Sequence, residues 1–80
     1  MIRGPTLKQL QYFLALTETG HFGRAAERCF VSQSAFSNAI RELETNLDAE
    51  LVDRTNRTVT ITATGQEVAV QARLVLRDVE

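Results

Sequence analysis

Cysteine and histidine occur once each among the 80 residues, and tryptophan is absent. A single cysteine cannot close an internal disulfide, and one histidine with one cysteine cannot supply the four ligands of a structural zinc site. Long hydrophobic runs are missing too: none spans a bilayer, and the N-terminus lacks the basic-then-apolar order of a signal peptide, so a cytoplasmic protein is expected. No convergent set of nucleophile, base and oxyanion donors can be assembled from this inventory, which speaks against an enzyme and against a metal or organic cofactor. Internal repeats and low-complexity segments are also lacking. There is no basic excess: nine Lys and Arg stand against ten Asp and Glu, a net charge of −1. Such a balance counts against a nucleic-acid binder that relies on overall charge.

What is present is a chain of one-domain length with 44% hydrophobic residues, enough for a core but with a thin stability margin in the absence of a partner. The charges are segregated. Arg28 to Arg41 contains no acid, Glu42 to Asp53 contains five acids and no base, and Arg54 to Gln66 contains two arginines and no acid.

The first acid-free segment lies within His21–Leu47, the stretch around which the chain is organised. Phe36, Ile40, Leu43 and Leu47 recur at offsets of 0, 4, 7 and 11, one apolar stripe of a 3.6-residue helix. The opposite face carries Gln33, Ser34, Ser37, Asn38 and Arg41, a set of amides, hydroxyls and one guanidinium suited to base edges and phosphates. Ser32 is placed to cap this helix, which would run about 21 Å to Asn46. Just upstream, Ala25, Ala26 and Cys29 give a shorter helix a small apolar face that allows close approach, as in the supporting helix of a helix-turn-helix. Cys29 reads as a small core residue rather than a redox or metal centre.

Taken in order, residues 1–5 form an arm. Thr6 and Gln9 then make a capping box for a helix whose face is Leu7, Leu10, Phe13, Leu14 and Thr17, ending at Gly20. His21 stands at the next N-cap, either capping or facing a phosphate, or simply exposed in the turn. Phe22 is expected in the core. Arg24 and Arg28 read equally as phosphate contacts or as solvated charges. After Leu47 and Asp48, the pair Leu51-Val52 and the alternation Thr58-Val59-Thr60-Ile61-Thr62 read as a two-stranded wing with Thr55, Asn56 and Arg57 at its tip. Arg54 braces the base of the wing or touches a phosphate. Thr62 can cap a last helix in which Ala69, Ala72, Leu76 and Val79 form a seam flanked by Val68 and Val75, with Val70 and Leu74 on another side; this breadth suggests burial against a second subunit. The expected fold is mainly α: a three-helix core and two-stranded wing over residues 1–62, followed by a long linker helix over residues 63–80.

The segment LKQLQYFLALTETGHFGRAAERCFVSQSAFSNAIRELETNLDAELVDRTNRTVTITATG closely resembles the N-terminal winged helix-turn-helix domain of LysR-type transcriptional regulators. The most specific features are Ala25-Ala26, Ser32-Gln33, Ser37, Leu43-Glu44, Arg54, Arg57, and Thr62 with Gly65, in family order and spacing. Ser34 stands where the family usually has proline, Asn38 where arginine is common, and Asp48 where glycine is usual. HFGRAAERC and QARLVLRDV look similar to the peroxide-sensing branch. The resemblance implies a bacterial transcription factor binding an interrupted palindrome in double-stranded DNA. It would act as a homodimer through the linker helix, or as a tetramer at full length, with effector binding in a C-terminal domain absent from this chain. It also implies that Gln33, Ser34, Ser37 and Asn38 approach bases and that Arg57 enters the minor groove. Arg41, Arg54, His21 and Ser32 complete the candidate DNA-contacting set. The rival reading is a winged-helix module that binds protein, which the fold permits; it should carry an apolar or acidic face on the second helix.

Overall fold

Thr6 and Gln9 close a reciprocal capping box at the start of the first helix: the Gln9 N–H donates to Thr6 Oγ1 at 3.0 Å and the Thr6 N–H to Gln9 Oε1 at 3.1 Å. The structure is a computed structural model describing residues 4–54 and 59–79. Helix α1 spans Leu7–Thr19 and stops at Gly20, whose φ of 66° is left-handed and whose N–H returns to the Leu16 carbonyl. Helix α2 spans Phe22–Arg28 and α3 spans Gln33–Leu47, with His21 and Ser32 as their N-caps. Two short antiparallel strands follow, β1 (Val52–Asp53) and β2 (Thr60–Ile61), in the register Val52 opposite Ile61 and Asp53 opposite Thr60. Helix α4 covers Ala63–Val79. Its start is fixed by Thr62, whose hydroxyl accepts the Gly65 N–H at 2.9 Å and donates to the Glu50 carbonyl at 2.6 Å.

Phe13, Leu16, Phe36, Ile40, Leu43, Leu51 and Val52 form the centre of the core. Tyr12 stacks on Phe36 at a centroid separation of 5.4 Å, and Phe22 meets the same ring edge-on at 6.0 Å. The stripe expected on α3 is the buried one, with Leu47 partly buried at its end. On α1 the burial is wider than the expected face. Leu7 is exposed, whereas Gln9, Tyr12, Ala15 and Leu16 are buried along with Leu10 and Phe13. The reason is that α1 is packed by α2, α3 and α4, so no single stripe accounts for it.

The seam expected on α4 needs correction for the same reason. Ala69 and Ala72 are each 1% exposed and belong to this domain's own core, with α4 packed on α1, and Leu76 is partly buried against it. Small side chains at these two positions let α4 approach α1 closely. The Val79 side chain lies outside the described residues. The large apolar residues that α4 leaves outward are Val70, Leu74 and Val75. At the other end of α4, a Cβ on Gly65 would be driven into the Leu51 carbonyl and would lie 2.7 Å from Ile61 Cγ2. Only glycine lets the helix start this close to the strands.

Candidate nucleic-acid interface

The outer face of α3 exposes Gln33, Ser34, Asn38 and Arg41 to solvent, with Ser37 partly covered and Ser32 exposed at the cap. Ser32 Oγ accepts the Ala35 N–H at 3.1 Å and lies 3.4 Å from Ser34 Oγ, so the two hydroxyls sit together at the helix start. Among the described residues Arg41 has no ion-pair partner. A surface of amides, hydroxyls and an unpaired guanidinium can donate to and accept from base edges and pair with phosphates.

The starts of α2 and α3 are brought side by side. His21 Nδ1 accepts the Arg24 N–H at 3.1 Å, so the side chain caps α2. Next to it, a Cβ on Gly23 would stand 3.0 Å from His21 Cε1 and 3.4 Å from Gln33 Oε1. Gly23 therefore leaves room for the imidazole and the Gln33 amide in one corner. The sequence signal for this role is a glycine in the first turn of a short helix, where it costs helix stability. Gln9 does more than cap α1. It also bridges to α3, donating to Glu42 Oε2 at 3.5 Å and accepting from Asn46 Nδ2 at 3.4 Å, which ties the C-terminal half of that helix to α1.

The arginines have separate surroundings. Arg54 Nη1 donates to Glu44 Oε1 at 2.8 Å, and its guanidinium carbon lies 5.9 Å from the centroid of Phe22. Arg28 pairs with Glu18 at 2.6 Å on the open surface, and Arg24 is exposed. Arg57, with Thr55 and Asn56, lies outside the described residues. Partial burial pushes the Cys29 thiol above its ordinary value, opposed by the neighbouring Arg28. Among the described residues no three His, Cys, Asp or Glu side chains gather as a metal group, and no helix is long and apolar enough to cross a membrane.

Three helices with a tight turn between the second and third, followed by a short antiparallel wing, define a winged helix-turn-helix, and here its second motif helix has an outward polar face. Residues 7–66 match the family model described as "Bacterial regulatory helix-turn-helix protein, lysR family". The chain belongs to this LysR family. It is 45% identical over 76 residues to the HTH-type transcriptional regulator EstR of Acinetobacter baylyi, covering 95% of this chain and 25% of that protein. Against the dual regulator OxyR of Escherichia coli K12 it is 46% identical over 74 residues, covering 92% of this chain and 24% of that protein. These near-equal identities do not single out the peroxide-sensing branch. The chain thus spans about a quarter of the length of the curated relatives it matches. Among solved structures, the BenM DNA-binding domain in complex with catB site 1 DNA superposes with a TM-score of 0.89 at 32% identity, covering 92% of this chain and 80% of that one.

Proposed function

We propose that this chain binds double-stranded DNA sequence-specifically as the DNA-reading part of a bacterial LysR-type transcriptional regulator. Helix α3 enters the major groove and the wing arginine Arg57 enters the adjacent minor groove. The observation that carries this reading is the outward face of α3 from Gln33 to Arg41, a stretch without a carboxylate, where Gln33, Ser34, Asn38 and Arg41 stand exposed at the position that helix-turn-helix proteins offer to base edges. The likeness to a LysR-type domain bound to DNA supports it. A protein-binding winged helix would need an apolar or acidic face there, and neither is found on α3 from Gln33 to Arg41. The family is one of transcriptional regulators rather than an enzyme class.

A homodimer on an interrupted palindrome fits the exposed Val70, Leu74 and Val75 of α4, and the regulator would act in the cytoplasm. Assembly into a tetramer and response to an effector would belong to the rest of a longer protein. The test is retention on a duplex selected from random DNA as salt is raised. Each phosphate neutralised should contribute about −0.9 to the slope of log affinity against log salt. Salt-insensitive or absent binding would overturn the proposal.

A further inference from the structure

Glu44 lies on α3 with its side chain largely covered, and both of its carboxylate oxygens are engaged. Its Oε2 accepts the backbone N–H of Leu51 at 2.8 Å and of Val52 at 3.3 Å, while its Oε1 receives Arg54 Nη1 at 2.8 Å. The Glu44 side chain is 12% exposed and that of Arg54 is 33%. The Arg54 guanidinium also lies against Phe22, which abuts Phe36 of α3. One carboxylate thus ties the recognition helix to the strand that leads into the wing, and the arginine it holds is seated on the supporting helix.

We propose that Glu44 and Arg54 act as a positioning pair that fixes the wing relative to α3, and that Arg54 does not serve as a phosphate contact. An arginine whose charge is balanced by a carboxylate at 2.8 Å presents a near-neutral pair to a phosphate, with one of its N–H donors already engaged. Glu44 has a role that its charge alone would not suggest. As an acid on a DNA-facing module it repels phosphates, yet its hydrogen bonds hold β1 where the wing must start. The two roles have opposite signs, and removing the charge while keeping the shape separates them.

This inference rests on the DNA-binding reading above. Affinity for a selected duplex would be measured at several salt concentrations for the wild type, Glu44→Gln, Arg54→Gln and Arg54→Lys, with hydroxyl-radical footprints and a circular-dichroism melt for each. Glu44→Gln is expected to bind about tenfold more weakly, with the salt slope unchanged and minor-groove protection lost while the major-groove contacts persist. Loss of stability alone would lower the melting temperature but leave the footprint of the folded fraction intact. Equal or tighter binding by Glu44→Gln would overturn the inference, as would a slope shallower by about 0.9 for Arg54→Gln, the mark of a lost phosphate contact. Should Glu44→Gln fail to fold, Arg54→Lys decides: it keeps the charge but not the planar group, so weakened binding at constant slope supports positioning and wild-type affinity refutes it. Failure of the wild type to bind any duplex would sink the DNA reading itself, and no variant can mimic that result.

Discussion

The imidazole of His21 caps α2 by accepting the backbone N–H of Arg24 at Nδ1, 3.1 Å away. His21→Ser should keep the cap, whereas His21→Ala should lower unfolding stability by about 1 kcal/mol. Denaturant titration of the three proteins checks this. Equal stability of the alanine variant and the wild type would mean that water replaces the cap without cost.

Asp48 ends α3 at φ 50° and ψ 48°, with its N–H returning to the carbonyls of Glu44 and Thr45. A residue with a Cβ is disfavoured there, so Asp48→Gly should stabilise the domain by about 0.5–1 kcal/mol after the entropy of the freer unfolded chain is subtracted. A fall in the melting temperature of this variant would show that the Asp48 side chain contributes something its backbone geometry does not suggest.

Two neighbouring leucines of α4 should behave differently. Leu74 is 46% exposed, while Leu76 packs against the core. Leu74→Glu should shift sedimentation toward monomer with little change in the melt, and Leu76→Glu should lower the melt itself by introducing a charge into an apolar contact. Monomeric wild type at high concentration, indistinguishable from Leu74→Glu, would remove α4 as a dimer surface for these residues.

The Cys29 thiol, raised by partial burial, should react more slowly with thiol reagents at neutral pH than a free cysteine does, because less of it is thiolate. The folded state retains the proton to higher pH than the unfolded chain. This contribution to stability is therefore complete below the ordinary thiol value and is lost as pH rises through the folded one. Stopped-flow labelling across pH 7–10 reports it, and a rate at or above that of free cysteine would contradict the assignment.

Most of what was legible in the sequence was local. Thr6 with Gln9, Gly20, Ser32 and Thr62 mark helix ends because a cap acts within three or four residues, and Phe36, Ile40 and Leu43 show their face by period alone. Gln33, Ser34, Asn38 and Arg41 followed as the complement of that stripe. Contacts set by tertiary packing were not legible. Ala69 and Ala72 could have faced either α1 or another subunit, and no periodicity distinguishes the two. Glu44 and Arg54 are ten positions apart, a spacing with no helical or strand meaning, so their pairing emerges only once α3 and β1 are placed. Gly23 and Gly65 matter because of what approaches them from elsewhere in the chain.

The most direct test of base reading by α3 is Gln33→Ala measured against a complete set of single-base operator variants at two salt concentrations. Gln33 stands exposed in the first turn of the helix, and its amide can donate to N7 and accept from N6 of one adenine. The variant should lose about 1–3 kcal/mol of discrimination at one base position per half-site. Its salt slope should stay unchanged because no phosphate charge is removed. A uniform loss of affinity across all variants, with a shallower slope, would show instead that Gln33 holds the backbone and that α3 lies in the groove in another rotation.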